Sequence, residues 1–303
     1  MSETKATVIV PTTGDRGPLL PYSVGSILNQ TVKDIEIFII GDGVDNQTRG
    51  IIYKLIEKDN RIRFFDHPKD ISRGEIYRHK ALQEASGKIV CYLLDRDLML
   101  PFHIENILDY SGKYNYITSL VYRIQGFYAL ISKSKYMGEQ NDEFKATIKS
   151  LAKINNLQYD PNNLSDNSYI DKKIPFVFLL SCMSHTLELY KSLPYGWRTT
   201  PPCYYTDQYM QLQLLSHKFC KPYFSITPPS ILYFKRGNHP GWPVEKRLKL
   251  LKYWYGLIQN GYHQDKINHL VLRGNILEFG KNIKRRNFER LSNIKKRFYE
   301  IYK

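Results

Sequence analysis

Two aspartates, Asp95 and Asp97, follow an apolar run of strand length over residues 89–94. An unpaired charge inside a protein core is costly, so these carboxylates are expected where the strand leaves its sheet. Two acidic side chains at this spacing can bind one hard divalent cation through oxygen, and phosphates commonly complete its ligands. The pair could instead cap the next helix or form a salt bridge with Arg96. The short pattern alone leaves both interpretations open.

The elements around this pair alternate between strand and helix. Apolar runs predict strands over residues 6–10, 34–40, 61–65 and 89–94. Helical spacing of apolar residues predicts helices over 19–28, 48–58, 73–86 and 101–110. Such alternation predicts right-handed crossovers and an α/β fold with a doubly wound, mostly parallel sheet and flanking helices. The later half is less regular, with strands predicted over 114–121, 127–131 and 231–234, helices over 143–153, 207–215 and 243–258, and a polar loop over 155–171.

Polar groups follow the predicted ends of strands one, two and four: Thr12, Thr13, Asp42, Asp95 and Asp97. In a doubly wound sheet these ends share one edge, and ligands bind in the crevice there. Asp42 lies between two glycines, where it could accept hydrogen bonds from a nucleobase or simply belong to a chain-reversing turn. The chain has neither the glycine fingerprint of dinucleotide-binding folds nor that of a P-loop.

Composition narrows the class of protein. The 303 residues are 42% hydrophobic and 24% charged, which excludes wholesale disorder. No stretch approaches the ~20 apolar residues of a membrane-spanning helix, and residues 1–7 lack the apolar region of a signal peptide. Four cysteines without a C-x-x-C pair argue against a disulfide scaffold or a zinc knuckle. We therefore expect a cytoplasmic protein.

The net charge of +15 is concentrated near the end of the chain. Residues 281–303 hold nine Lys or Arg and two Glu residues, a net charge of +7, with apolar residues at helical spacing. Such a basic amphipathic helix can lie on an anionic membrane surface. It can also dock its apolar face on the protein body, and contact with nucleic acid is a third interpretation.

Four segments, by their order and spacing over residues 5–110, resemble a family 2 glycosyltransferase of the GT-A fold. They are Val8-Ile9-Val10-Pro11-Thr12, Ser26-Ile27-Leu28-Asn29-Gln30-Thr31, Glu36-Ile37-Phe38-Ile39-Ile40-Gly41-Asp42-Gly43 and Leu94-Asp95-Arg96-Asp97. The resemblance implies a metal-dependent enzyme of polysaccharide biosynthesis. Such an enzyme moves a sugar, with inversion, from a nucleotide donor, here UDP-linked, to a hydroxyl of a glycan or lipid-linked glycan.

The resemblance also implies roles for residues. The nucleotide-sugar would be bound by Pro11, Thr12, Thr13, Asp42 and Asp95, and Mn²⁺ or Mg²⁺ by Asp97 together with Asp95. Many members carry one more aspartate directly after this pair, where the chain has Leu98. Which carboxylate contacts the metal is therefore open, with Asp97 favoured for the metal and Asp95 for ribose.

Three further roles are expected, each with an alternative: that of the arginines follows from their chemistry in a segment more cationic than the family's usual one, and the other two follow from the resemblance. Arg73 and Arg78 could contact the donor phosphates, or they could lie on a solvated helix face. Asp207, at the start of a predicted helix, matches the general base, although aspartate is also an ordinary N-cap residue. His239 could be a third metal ligand or a histidine of a surface loop.

Aromatic and histidine residues of the later half could line the acceptor side. Trp197 and Trp242 could stack on a sugar ring, and His185 lies in a segment that could face the acceptor. Core positions are the alternative for all three.

Three regions are predicted: a donor-binding half over 1–110, an acceptor-binding and catalytic half of the same domain over 111–260, and a helical basic tail over 261–303. The tail would hold a cytoplasmic enzyme peripherally at the inner membrane face. Two other functions stay open, a catalytically degenerate GT-A protein that binds glycans or membranes and a sugar nucleotidyltransferase. For the latter, Gly14-Asp15-Arg16-Gly17 is only a partial match to a phosphate loop.

Overall fold

The computed structural model describes residues 3–126, 129–131, 138–139, 179–200, 205–234, 243–259, 265–277 and 280. Its strands are β1 (Ala6–Gly14), β2 (Ile35–Val44), β3 (Ile62–His67), β4 (Ile89–Tyr92), β5 (Leu98–Met99), β6 (Tyr116–Ile124), β7 (Ala129–Ile131), β8 (Gly138–Glu139), β9 (Met183–Thr186) and β10 (Pro222–Tyr233). Within the described ranges these strands form one sheet in the order β3-β2-β1-β4-β9-β6-β10-β5, with β7 beside β6 and β8 beside β10.

Helices flank the sheet. They are α1 (Leu20–Leu28), α2 (Asn46–Lys58), α3 (Glu75–Gln83), α4 (His103–Ser111), α5 (Leu187–Lys191), α6 (Thr206–Ser216), α7 (Val244–Gln259) and α8 (265–277). Two 3₁₀ turns, Gly17–Leu19 and Leu180–Cys182, precede α1 and β9. Among the helices in these ranges, none combines the length and apolar character that crossing a bilayer requires.

Four neighbouring strands at one side of the sheet, in the order β3-β2-β1-β4, are all parallel to one another. In the second half β6 and β10 are parallel, whereas β9 is antiparallel to both β4 and β6 and β5 is antiparallel to β10. The predicted α/β class is therefore confirmed, with a parallel first half and a mixed second half. Strands from before and after residue 110 belong to the same sheet. The division into a donor-binding half over 1–110 and an acceptor-binding half over 111–260 stays a prediction.

Alternation along β1 explains how helices come to cover both faces. Ile9 packs into a core layer with residues of α3, α5 and α6, while Val8 and Val10 pack into another with residues of α1, α2 and α4. Successive strand side chains point to opposite faces, so an apolar run is buried on both sides. Each fully buried Val, Leu or Ile contributes about 1.5–3 kcal/mol. A third layer packs α7 against β5 and β10.

Several boundaries differ from the sequence prediction. β1 and β2 continue past their apolar runs because their backbones stay paired as far as Gly14 and Val44. Asp42 is therefore inside β2, which corrects the expectation that the strand stops before it. β10 is much longer than predicted because Pro228 and Pro229 conceal it, and its register shifts between Ile226 and Ile231. The short strand β9 was not predicted. The helix predicted over 143–153 and the loop over 155–171 lie outside the described residues.

Candidate active site

The ends of β1 and β4 meet at Asp95. Its fully buried carboxylate accepts hydrogen bonds from Thr12 Oγ1 at 3.1 Å and from Arg16 Nη1 at 3.1 Å, and Arg96 Nη1 lies 3.6 Å away. The predicted convergence of these strand ends is thus present, and so is the salt bridge to Arg96 that was its simpler alternative. A buried carboxylate is tolerated when charged partners and hydrogen bonds compensate its lost hydration, as the two guanidinium groups do here.

Asp97 is fully buried a short distance along the chain. Its Oδ2 accepts a hydrogen bond from Ser181 Oγ at 2.6 Å, and its Oδ1 accepts one from the backbone N–H of Phe234 at 3.0 Å. Burial raises the pKa of Asp97 to about 6, although Arg96 and the two hydrogen bonds act in the opposite direction. The carboxylate therefore holds its proton more tightly than an exposed aspartate and gains from any cation placed beside it.

Asp42 lies on the same edge, on β2, and is 8% exposed. Its carboxylate accepts hydrogen bonds from Lys69 Nζ at 2.5 Å and from the backbone N–H of Asp70 at 2.6 Å. Thr13 Oγ1 donates to the Asp42 carbonyl at 2.5 Å, which ties β1 to β2 at this point. Gly43 has φ +66° and a Cβ there would meet Lys69 at 2.6 Å, so a glycine is required for the lysine to approach.

Asp207 is the second residue of α6, whose N-cap is Tyr205. The carboxylate is partly buried and accepts a hydrogen bond from the backbone N–H of Leu180. Asp207 therefore does not cap its own helix, which was the alternative to a catalytic role. Burial raises its pKa, while Arg78, the Leu180 hydrogen bond, Arg73 and Arg96 partly offset the rise.

The 3₁₀ turn that begins at Leu180 brings the two carboxylates together. The N–H of Leu180 binds Asp207, and Ser181 Oγ donates to Asp97 while accepting from the N–H of Leu94. Because Leu180 and Ser181 are consecutive, Asp207 and Asp97 lie on adjoining parts of one site. No sequence pattern marks this turn, because a Leu-Ser pair is common anywhere.

Arg78 is 4% exposed and lies beneath the edge of the sheet. Its guanidinium lies 4.5 Å from the Trp197 ring centroid, and Nη2 donates to the Arg73 carbonyl at 2.6 Å. Burial lowers the pKa of Arg78, whereas the negative charges of Glu75 and Asp207 oppose the shift. The Arg73 side chain is exposed. Contact of either arginine with donor phosphates stays a prediction.

Two residues expected on the acceptor side belong instead to the core. Trp197 is 2% exposed, and its Nε1 donates to Tyr92 Oη at 2.9 Å, so stacking of its ring on a sugar is excluded in this conformation. His185 is 1% exposed, and its Nε2 lies 2.8 Å from Tyr92 Oη. For both residues the core alternative holds, because their side chains form a buried hydrogen-bonded network with Tyr92 of β4. His239 and Trp242 lie outside the described residues.

Oxygen ligands for a cation are present at the edge. Carboxylates are the groups that Mn²⁺ and Mg²⁺ take as ligands, and each Asp97 oxygen keeps a lone pair beyond its hydrogen bond. The part of the chain that the structure describes contains no group of three or more potential metal-binding side chains. Asp95 and Asp97 therefore fit a partial ligand set that phosphate oxygens would complete.

Comparisons with known proteins agree with this geometry. A solved structure of Staphylococcus aureus TarS 1-349 in complex with UDP-GlcNAc is similar with a TM-score of 0.54 at 13% identity, over 88% of this chain and 70% of that one. At this identity the similarity concerns the fold alone, and it confirms the predicted GT-A fold.

Two curated relatives each match a little more than a third of the chain. One is the GalNAc(5)-diNAcBac-PP-undecaprenol beta-1,3-glucosyltransferase of Campylobacter jejuni, 34% identical over 109 residues, or 36% of this chain and 35% of that protein. The other is an uncharacterized glycosyltransferase of Methanocaldococcus jannaschii, 32% identical over 111 residues, or 36% of this chain and 38% of that protein. The matches thus span little more than a third of either relative.

The family model described as Glycosyl transferase family 2 matches residues 7–171, which is more than half of the chain and includes β1, β2 and the aspartates of the edge. The chain therefore belongs to glycosyl transferase family 2.

Proposed function

We propose that this protein transfers a sugar from a UDP-linked donor to a hydroxyl of a lipid-linked glycan, with Asp207 as the general base. The observation that carries the proposal is the 3₁₀ turn at Leu180 and Ser181, which binds Asp207 with one residue and Asp97 with the next. A base next to a diphosphate site is the arrangement that glycosyl transfer needs, because the acceptor oxygen attacks the carbon that carries the diphosphate.

The nucleotide would lie along the ends of β1, β2 and β4. Pro11, Thr12 and Thr13 supply the edge of β1, Asp95 would accept hydrogen bonds from ribose, and Asp42 would accept from the N–H of a uracil ring. Both Asp42 oxygens now bind groups of residues 69 and 70, so base recognition would exchange at least one of these hydrogen bonds. The similar fold of a protein solved with UDP-GlcNAc supports a UDP donor.

Asp97, with Asp95 and His239, would hold Mn²⁺ or Mg²⁺ against the donor diphosphate. A bound cation would supply positive charge where the leaving group becomes more negative. Arg96 belongs to the same neighbourhood, since its charge acts on Asp97 and Asp207 and it lies 3.6 Å from Asp95. Arg73, exposed at the start of α3, would add a second cation toward the phosphates.

Asp207 would take the proton of the acceptor hydroxyl as the new bond forms on the face opposite the diphosphate, so the anomeric carbon inverts. Its pKa is raised by burial, which makes its carboxylate a stronger base than an exposed aspartate. Asp207 is only partly buried, so an acceptor hydroxyl could reach it from solvent.

The lipid-linked acceptor is proposed from two observations. The curated relative from Campylobacter jejuni carries PP-undecaprenol in its name. Residues 281–303 are basic and amphipathic, and such a segment favours an anionic membrane surface.

The test is a comparison of Asp207→Asn and Asp97→Asn. With a panel of UDP-sugars, Mn²⁺ and lipid-linked acceptors, Asp207→Asn should lower kcat by about 10²–10⁴-fold and leave the Kd for UDP in Mn²⁺, measured by calorimetry, nearly unchanged. Asp97→Asn should weaken Mn²⁺-dependent UDP binding by about 10-fold or more. Asp109→Asn, an exposed aspartate of α4, is the control and should match the wild type in both assays.

Full transfer activity in Asp207→Asn would contradict the base assignment. Absence of any Mn²⁺-dependent UDP binding by the wild type would contradict the donor site as proposed.

A further inference from the structure

Glu75 is a fully buried carboxylate at the first position of α3. Its Oε2 accepts a hydrogen bond from the backbone N–H of Arg73 at 2.9 Å. Its Oε1 accepts from Ser72 Oγ at 3.3 Å, Thr200 Oγ1 at 2.9 Å and Thr206 Oγ1 at 3.1 Å. A carboxylate is retained at such depth only when donors replace its lost hydration, and four of them do so here.

The charge on Glu75 is maintained in the fold. Burial acts to raise its pKa, but backbone hydrogen bonds at Glu75 and Arg73, the positive charge of Arg78 and the Thr200 hydroxyl outweigh it, so the pKa is lowered. Glu75 is therefore ionised at neutral pH. Its hydrogen bonds to the threonine hydroxyls are charge-assisted, and these are stronger than neutral ones.

The partners of Glu75 connect α3 to the helix that carries Asp207. Thr206 is the first residue of α6 and Asp207 is the second. The N–H of Leu180 holds the Asp207 carboxylate from one side, while Glu75 holds the preceding residue from another. The first turn of α6 is thus fixed at two points that belong to different elements.

The segment that carries Glu75 also contacts a residue of the proposed donor site. Gly74, directly before Glu75, has φ +66°, and a Cβ there would lie 3.2 Å from Cβ and Cγ of Asp42. The start of α3 therefore lies between the proposed donor-binding residue Asp42 and the proposed base.

We propose that Glu75 is a positioning residue, which fixes the Thr206 hydroxyl and thereby orients Asp207 toward the acceptor hydroxyl. This inference rests on the proposed role of Asp207 as the base. Glu75 itself touches neither substrate. Its effect reaches the reaction through a hydrogen bond to the neighbour of the base, and reacting groups must be aligned closely for efficient attack.

A purely structural role would make Glu75 a contributor to stability and nothing more. Substitutions at Thr206 distinguish the two roles, because serine keeps the hydroxyl group and valine replaces it with a methyl group of similar volume. Thr206→Val and Thr206→Ser are therefore the matched pair, and Glu75→Gln removes the charge. Thr200→Val deletes a different donor to the same Glu75 oxygen, away from α6, and reports the cost of losing one hydrogen bond there.

Transfer is measured with the UDP-sugar and acceptor of the wild type, together with UDP binding, thermal unfolding and hydrogen–deuterium exchange of the peptide over 205–216. Thr206→Val and Glu75→Gln should lower kcat at least ~10-fold while the Kd for UDP changes less than about threefold. Both should also speed exchange at the start of α6. Thr206→Ser should recover most of the wild-type kcat, and Thr200→Val should leave exchange over 205–216 near that of the wild type.

Equal kcat values for Thr206→Val and the wild type would overturn the proposal, and so would unchanged exchange in the 205–216 peptide of both Thr206→Val and Glu75→Gln. A loss of UDP affinity that parallels the loss of kcat would also overturn it, because Glu75 would then act on the donor site. If the wild type transfers no sugar, the proposed function fails, and hydrogen exchange still decides whether Glu75 fixes α6.

Discussion

At the residue scale, three acidic groups of the candidate site, Asp97, Asp207 and Glu75, differ in proton affinity. Asp97 and Asp207 have raised pKa values because burial is only partly compensated. Glu75, which is fully buried too, has a lowered pKa because four donors and Arg78 surround it. Hydrogen-bond donors rather than depth therefore decide which carboxylate is a fixed anion and which can exchange a proton.

The buried histidines give a test of stability at the same scale. Burial lowers the pKa of His185 to about 4. Its Nδ1 lies 3.1 Å from the Thr186 carbonyl, which can only accept, so Nδ1 carries the proton and Nε2 accepts from Tyr92. A protonated ring could no longer accept from Tyr92, and its positive charge would be buried.

Because the folded pKa lies below the usual 6.5, the unfolded chain binds more protons between pH 6.5 and 4. The contribution of His185 to the free energy of unfolding is fully present above pH 6.5. It is lost as the pH falls toward 4, by up to ~1.4 kcal/mol per pH unit. Chemical denaturation of His185→Gln should therefore show a shallower loss of unfolding free energy over this range than the wild type. His269→Gln, at an exposed position, is the control. Parallel pH curves for wild type and His185→Gln would refute the assignment.

At the element scale, two short turns assemble the site. The 3₁₀ turn at Leu180–Cys182 joins Asp97 to Asp207, and the segment before α3 brings Lys69, Asp70 and Glu75 to the same edge. Neither turn has a regular spacing of apolar residues. The strands and helices determine where the two turns lie, and contacts from the turns then hold the carboxylates in position.

Gly74 tests the second turn. An alanine there needs a left-handed backbone, which costs about 1–2 kcal/mol, and its Cβ would press on Asp42. Gly74→Ala should lower Tm and weaken UDP binding together. Gly112→Ala is the matched control, since Gly112 has φ −67° and nothing lies within 4 Å of its Cβ position. Wild-type UDP affinity in a folded Gly74→Ala protein would show that this turn does not shape the donor site.

At the scale of the whole molecule, the positive charge of the sequence is concentrated near its end. Residues 281–303 contribute +7 of the net +15. Attraction of about 1 kcal/mol per cation near an anionic lipid surface would suffice for peripheral binding, and it would bring the site to a lipid-linked acceptor.

Vesicle co-sedimentation tests this membrane contact. The full chain should bind vesicles that contain anionic lipid and not neutral ones, with binding lost at high salt. The triple variant Lys295→Glu, Lys296→Glu, Arg297→Glu should bind at least ~10-fold more weakly. The control, Lys33→Glu with Lys54→Glu and Lys58→Glu, changes the net charge equally at exposed sites elsewhere. Equal losses in both variants would indicate a general charge effect.

Local physical rules account for what the sequence determined by itself. The apolar runs that became β1, β2 and β4 and the helical spacing in α1, α2 and α4 predicted the α/β class, because side-chain periodicity is a local property. The order of strand and helix then placed Thr12, Asp42, Asp95 and Asp97 on one edge. Family motifs added the class of enzyme, which the family model over residues 7–171 confirms, and the proposal of Asp207 as the base.

Only the tertiary structure decided the remaining features. The positions of Ser181, Leu180 and Glu75 beside the carboxylates depend on contacts between residues 27 to 131 positions apart, which no local pattern encodes. Trp197 and His185 became core residues for the same reason, since burial depends on what packs above a side chain. Sequence spacing therefore determined which groups are candidates for the chemistry, and packing between distant segments determined which groups hold them in place.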